Sequence, residues 1–367
     1  MLKDSCVFIG VGQCGGNIVR QLELKGGYSC YYINSSTEDL ETIGTDYDKQ
    51  YHIAETKGMA KDQKLAKEII TSEDRDNIIA EKIYKRYANS SIYTFTFSTS
   101  GGTGGGMAPS IMKAMKEWYP DKTINAIVVK PHSSEDMIMQ YNSLECLKEL
   151  KSLLKDGIIT NLQIIDNNKR DFKDKMKINS EVASLLDGIM SFDTITIEGN
   201  LDAQELEIIY STKGVSFICE FAGSDFPNDL SKAEEKIVFA KYLKNGTVHG
   251  IILNKDCNTE VNRKIIKDTF GYPLKTMDTV WEEESNIVLV AGMEFNDDVL
   301  EELKQSYIEI KKRREEVNEK TKEKSESEIS IDFSEIETAS ITINTKVQRP
   351  DRRRRVGVNG EMSRYRK

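Results

Sequence analysis

Residues 98–106 read STSGGTGGG, five glycines in nine positions, and the reading of the whole chain turns on them. They follow the β-branched and aromatic run SIYTFTF (91–97) and precede MAPSIMKAMKEWY (107–119), which has helical spacing. Glycine loses the most backbone entropy on folding and brings no side chain to pack, so such a stretch marks a place where backbone must approach something closely. A second stretch of this kind, GVGQCGGN (10–17), follows the strand SCVFIG (5–10) and opens the helix NIVRQLELK (17–25). A glycine-rich strand-to-helix turn aims backbone N–H groups and a helix N-terminus at negative charge. By itself the first loop is a G-x-G-x-x-G pattern, which a dinucleotide-binding fold or a ligand-free tight turn also carries. Two such loops at one edge of one sheet can clasp a polyphosphate, whereas a hydride-transferring unit uses one.

Working outward, YSCYYIN (28–34), INAIVV (124–129) and NLQIID (161–166) join SCVFIG and SIYTFTF as strands, with amphipathic segments between them. This alternation predicts an α/β fold, a parallel sheet with helices on both faces, over residues 1–177. INSEVASLLDGIMSFDTI (178–195) places Ile178, Val182, Leu185, Leu186, Ile189 and Met190 on one stripe and reads as a long central helix over 178–196. Beyond it, residues 197–295 read as a smaller α+β unit with strands VSFICEF, VHGIIL, PLKTMDTVW and SNIVLVAG. Helices are expected at SKAEEKIVFAKYL (231–243) and NTEVNRKIIKDTF (258–270). Residues 296–324 form a charged helix whose apolar stripe fades after Ile310, and 325–367 a Ser/Thr/Glu-rich tail with a basic end.

The 367 residues exceed what one hydrophobic core serves, and 38% apolar with 30% charged residues implies solvated extensions. A net charge of −9 excludes a surface built throughout for nucleic acid and leaves the C-terminal basic patch as the local exception. Six scattered cysteines without a CxxC pair fit reduced thiols, and three histidines at no metal spacing argue against zinc. The N-terminus lacks a leader pattern and no segment has the apolar length of a membrane span, so a cytoplasmic protein is expected.

On these residues the chain resembles the tubulin/FtsZ superfamily. SGGTGGG (100–106) is similar to the signature GGGTG[ST]G, departing at Ser100 and Gly105, and GVGQCGGN is similar to the first phosphate loop of tubulins. KGMAKDQK (57–64) resembles the loop near the γ-phosphate without the fuller glycine pattern, IVVKPHSSE (127–135) the segment ending in a nucleotide-site Glu, and INSEV the segment whose Asn meets guanine. These landmarks keep their order over residues 2–295. The resemblance implies a GTPase that polymerises into dynamic filaments, with GTP/GDP and Mg2+ as cofactors and K+ as a candidate monovalent ion. Its nucleotide-binding residues would be Gly12, Gln13, Cys14, Gly15, Asn17, Gly58, Ala60, Ser100, Gly101, Gly102, Thr103, Gly104, Gly105, Glu135 and Asn179. Local readings stand beside these: Asn17 as a turn cap, Thr103 as a helix start, Glu135 as an exposed first-turn acid. The sequence names no metal ligand.

NLDAQE (200–205) resembles the NxDxx[DE] loop that completes the hydrolytic centre of the next subunit, so Asn200, Asp202 and Glu205 are the catalytic candidates. Two carboxylates one turn apart can orient and polarise a water beside a γ-phosphate. The local alternative is a helix N-cap with a first-turn acid. Arg349, Arg352 to Arg355, Arg364, Arg366 and Lys367 make the basic end. With the long charged helix, this end makes the chain most similar to the plasmid- or phage-borne TubZ branch. That branch implies treadmilling filaments that move DNA in a bacterial host, self-association head to tail, and a TubR-type DNA-binding adaptor on centromere DNA engaged by the C-terminal region. A membrane partner is not expected. The alternatives are an FtsZ-like division or phage-spindle filament and a NAD-binding Rossmann oxidoreductase. The last expects an acid closing the second strand, where YYINSS supplies Asn34 and serines.

Overall fold

Alternating apolar and glycine-punctuated runs of this kind close into strands joined by covering helices, and the computed structural model describes residues 1–192, 198–199, 201–223, 225–257 and 259–328. Its strands are β1 (Cys6–Val11), β2 (Ser29–Asn34), β3 (Gln50–His52), β4 (Ile92–Ser98), β5 (Thr123–Lys130), β6 (Asn161–Asp166), β7 (Glu198–Gly199), β8 (Gly214–Ala222), β9 (Val248–Asn254), β10 (Lys275–Trp281) and β11 (Ser285–Met293). Its helices are α1 (Gly12–Lys25), α2 (Thr37–Ile43), α3 (Gln63–Thr71), α4 (Arg75–Arg86), α5 (Gly102–Trp118), α6 (Met137–Lys155), α7 (Lys175–Met190), α8 (Ala203–Tyr210), α9 (Phe226–Lys236), α10 (Thr259–Phe270) and α11 (Asp298–Glu328). Two compact units result, Met1–Arg314 and Glu315–Lys367. The description of the second is confined to residues 315–328, and the tail from 329, with all of its basic end, lies outside the described residues.

The sheet runs β3-β2-β1-β4-β5-β6-β8-β11-β9-β10-β7. From β3 to β6 every pairing is parallel, and β1 and β6 are buried at every residue, as strands covered on both faces must be. Chain order reverses at β1/β4: β2 and β3 extend one way and β5 and β6 the other. Open α/β sheets bind ligands beyond the strand C-termini at such a switch point. Here α1 packs on α2 and α7, while α5 packs on α3, α4 and α6. The remainder is mixed, with β11 antiparallel to β8 and β9 and with β10 parallel to β9.

Three expected helices differ in extent. The central helix, expected over 178–196, starts earlier and ends at Met190, where the Ser191 N–H bonds back to Asp187; residues 193–196 of that expectation lie outside the described residues. The helix expected over 231–243 occupies Phe226–Lys236, and Ile237–Ala240 is extended. The reason is backbone accounting: β8 pairs only Asn161 and Leu162 of β6, leaving the rest of that edge open. Val238 and Ala240 close it, the Asp166 N–H donating to the Val238 carbonyl and the Ala240 N–H to that of Ile164. The C-terminal helix runs Asp298–Glu328 where 296–324 was expected, and Glu302 on it reaches the buried Lys130 at 2.6 Å. Lys130 also pairs with Asp166 at 3.0 Å, so its desolvated charge is matched from two sides.

Glu23 near the end of α1 anchors the β2 side of the molecule. It accepts from Lys49 (2.7 Å), Tyr32 (2.8 Å), Arg20 (2.6 Å) and Thr45 (3.2 Å). Burial alone raises its pKa, but these four donors together outweigh burial and hold the carboxyl at about 2. A carboxyl depressed in the folded state contributes stability above its unfolded value, and that contribution is lost as pH falls from about 4.5 toward about 2. Glu23→Gln therefore flattens the acid limb of a denaturation-midpoint series over pH 2–4.5. An unchanged acid limb would remove Glu23 from the account.

Candidate nucleotide site

Gly10 of β1 pairs in register with Thr96 of β4, so the two glycine stretches leave the sheet side by side. Both helices begin inside these stretches, earlier than their apolar spacing suggests. The first turn of α1 is Gly12-Gln13-Cys14, that of α5 is Gly102-Thr103-Gly104, and neither helix has a side-chain cap or a first-turn acid. Their leading N–H groups have no intrahelical acceptor, and the helix dipoles add positive potential. Gly12 takes φ +71°, where a side chain is strained, and a Cβ built on it would lie 3.2 Å from the Gly104 nitrogen. The two helix N-termini thus converge on one cleft of about 410 Å3 at the switch point.

Gly12, Gln13, Cys14, Gly58, Ala60, Ser100, Gly101, Gly102, Thr103 and Gly104 line that cleft. Eight residues that sequence reasoning did not single out line it too, six of them polar or on the Lys57–Lys61 segment (Ser36, Asp39, Lys57, Met59, Lys61 and Ser98) and two apolar (Val11 and Met139). Among the candidates, Gly15 and Gly105 face packing instead. A Cβ on Gly15 would run into the Thr96 carbonyl, and one on Gly105 into Gln63 and, at 2.8 Å, the Thr99 carbonyl oxygen. Asn17 lies on α1 and Asn179 on α7, two helices packed on each other, and neither lines the glycine cleft. Glu135 is buried in the turn before α6 rather than exposed on its first turn; its N–H donates to the His132 carbonyl.

The cleft wall is fixed by amides that occupy its carbonyls. Gln63 Nε2 donates to the carbonyls of Thr99 (2.7 Å) and Gly101 (2.9 Å). Asn142 Nδ2 donates to those of Lys61 (2.7 Å) and Ser100 (3.3 Å). Carbonyls held outward leave N–H groups to face the cleft, which is what an anion requires. Ser35 and Thr103 share a hydroxyl hydrogen bond at 2.6 Å, tying the end of β2 to the start of α5. Asn34, at the position where a ribose-binding acid would close β2, bonds Asp39 and the Ser36 N–H.

The acidic loop lies elsewhere. Asp202 caps α8, its Oδ1 accepting from the Glu205 N–H at 2.8 Å, so the local reading of this loop is physically present. Glu205 Oε2 is shielded from solvent and has no hydrogen-bond partner among the described residues. Asn200 lies outside the described residues. Helix α8 packs against Leu2–Ser5, ahead of β1, and Glu207 accepts from Ser91, just ahead of β4, at 2.6 Å. That is the N-terminal edge of the sheet, and the cleft is at the C-terminal edge. At about 3.3 Å per residue, β4 alone separates them by on the order of 20 Å.

Comparison with known proteins follows the same lines. Residues 5–169 match the Tubulin/FtsZ family, GTPase domain. The chain is 26% identical to the tubulin-like protein TubZ of Clostridium botulinum C phage over 99% of its own length and 100% of that protein. It is 29% identical to the tubulin-like protein CetZ of Pyrococcus abyssi over 60% of this chain and 61% of that one. Tail-truncated TubZ of C. botulinum phage c-st superposes with a TM-score of 0.76 at 27% identity, over 85% of this chain and 100% of that structure. A GTPγS-form protofilament of Bacillus thuringiensis TubZ shares the fold with a TM-score of 0.74 at 16% identity, over 86% of this chain and 94% of that one.

Proposed function

From a chain that carries a tubulin/FtsZ-family GTPase domain over residues 5–169, we propose a GTP-hydrolysing protein that assembles head to tail into filaments and completes each hydrolytic site between two subunits. One observation carries this reading: the phosphate cleft and the acidic loop sit at opposite edges of one sheet. A loop that cannot reach its own cleft can reach that of a second copy stacked along the strand direction, and such a heterologous contact repeats into an open filament.

In this reading the first-turn N–H groups of α1 and α5 hold the phosphates, Asn17 and Asn179 meet the base from the packed α1–α7 pair, and Glu135 contacts the ribose. Asp202 and Glu205 of the adjoining subunit orient a water in line with the γ-phosphorus. Attack forms the new P–O bond as the bond to the β–γ bridging oxygen breaks, and the water proton passes to a carboxylate. A magnesium ion bound together with the nucleotide would supply charge neutralisation at the phosphates. Residues 1–177 then bind nucleotide, and 197–295 present the acidic loop.

Similarity to the tubulin-like protein TubZ of a phage along nearly the whole chain supports the filament reading, which we extend to a DNA-partition role with the C-terminal region engaging a DNA-binding adaptor. The test is light scattering and phosphate release with GTP and with GDP, in magnesium and potassium, across protein concentrations. Scattering with GTP alone, with release rising steeply above a critical concentration, is expected. Release strictly proportional to protein without scattering would leave a self-contained hydrolase.

A further inference from the structure

We propose that Lys61 distinguishes GTP from GDP by exchanging its partner Asp136 for the terminal phosphate, with Lys57 as a second cation beside it; this rests on the nucleotide reading of the cleft. The cleft wall formed by Lys57–Lys61 carries both lysines, against a single lining carboxylate, Asp39. The wall lies on the α5 side. A Cβ on Gly102, the first residue of α5, would be 2.6 Å from Met59 Cβ and 3.1 Å from the Lys61 nitrogen. A phosphate seated on the α5 N-terminus is therefore beside this segment.

The segment is held in an unusual backbone. Ala60 and Lys61 both have positive φ, +45° and +66°, without being glycine, and the Lys61 carbonyl is fixed by Asn142. Side chains tolerate that region at a cost, and it persists where surrounding contacts determine it. The result fixes the Lys61 backbone at the cleft while its long side chain stays movable. Lys61 Nζ pairs with Asp136 at 2.8 Å, and both side chains are largely exposed, at 44% and 71%. Exposed ion pairs of this kind are weak, so a phosphate dianion seated on the α5 N-terminus competes for the ammonium successfully. Asp136 is the cap position of α6 but makes no side-chain cap bond, so releasing it leaves no helix N–H stranded. Lys57 lines the same cleft, and its electrostatic partner is the fully exposed Glu38, from which a bound phosphate can draw it.

GDP lacks the group that draws Lys61 away, so the ion pair to Asp136 re-forms after hydrolysis and release. The discriminating measurement is fluorescence titration of labelled GTPγS and GDP below the assembly concentration. Lys61→Ala should weaken GTPγS binding about tenfold and leave GDP within about twofold, and Lys61→Arg should restore most of the difference. Asp136→Asn frees the ammonium and should tighten GTPγS about two- to threefold without affecting GDP. Equal loss of both nucleotides in Lys61→Ala, or weaker GTPγS binding in Asp136→Asn, would overturn the inference and leave the nucleotide site intact. Wild-type protein binding neither nucleotide would instead sink the functional reading on which it rests.

Discussion

Asp202→Asn protein binds GTP with wild-type affinity, assembles, and releases phosphate at least about a hundredfold more slowly, giving long-lived static filaments. The choice of asparagine matters because Asp202 is also the α8 N-cap. Asparagine caps as well as aspartate does, whereas alanine would add about 1 kcal/mol of helix destabilisation to any catalytic effect. A loss in Asp202→Asn therefore reports the missing charge and not a frayed helix. Glu205→Gln tests the second carboxylate, whose Oε2 has no partner among the described residues of its own subunit. Filament lifetime after GTP exhaustion and single-turnover phosphate release are the readouts. Normal turnover in both variants would take the 200–205 loop out of the chemistry.

Gly104→Val abolishes nucleotide binding, with a fall in affinity of at least about a hundredfold, because the first turn of α5 has no room for a side chain. A Cβ there lies 2.9 Å from Phe97 Cβ and 3.0 Å from the Val11 carbonyl oxygen, both on the strands that carry the two glycine turns. Relief requires α5 to move away from α1, which opens the paired N-termini. The same overpacking lowers stability by about 1–3 kcal/mol, so circular dichroism and a denaturation midpoint must accompany the titration. Undiminished affinity in folded Gly104→Val would mean that this stretch is not a phosphate cradle. The two variants also test each other. Gly104→Val retains an intact acidic loop and Asp202→Asn an intact cleft, so mixing them restores turnover only if one subunit completes the site of the next.

Much of this was legible in the chain itself. Strand-to-helix glycine turns are local chemistry, and both lie in the sequence at 10–17 and 98–106. The β-rich runs fixed the parallel half of the sheet for the same reason: side-chain period and turn residues are short-range properties. Where local pattern and nonlocal pairing competed, pattern lost. Ile237–Ala240 continues an amphipathic helix by its spacing, yet it closes the open edge of β6, since unpaired backbone groups cost more than a change of conformation.

The sequence by itself determined that two glycine turns precede two helices, that a lysine-bearing stretch lies between them and an acidic loop after them, and that the C-terminal end is charged. Those are consequences of composition and spacing along one chain. Only the tertiary structure decided that Gly15 and Gly104 are needed for helix-to-strand approach and Gly105 for the approach of α3, that Glu135 and Lys130 are buried, and that Lys57 and Lys61 line the glycine cleft. It alone placed Asp202 and Glu205 at the far edge of the sheet. Spacing along the chain sets which residues are neighbours on one element, while strand register and helix packing set which elements meet, and the division of one site between two sheet edges exists only at that second level.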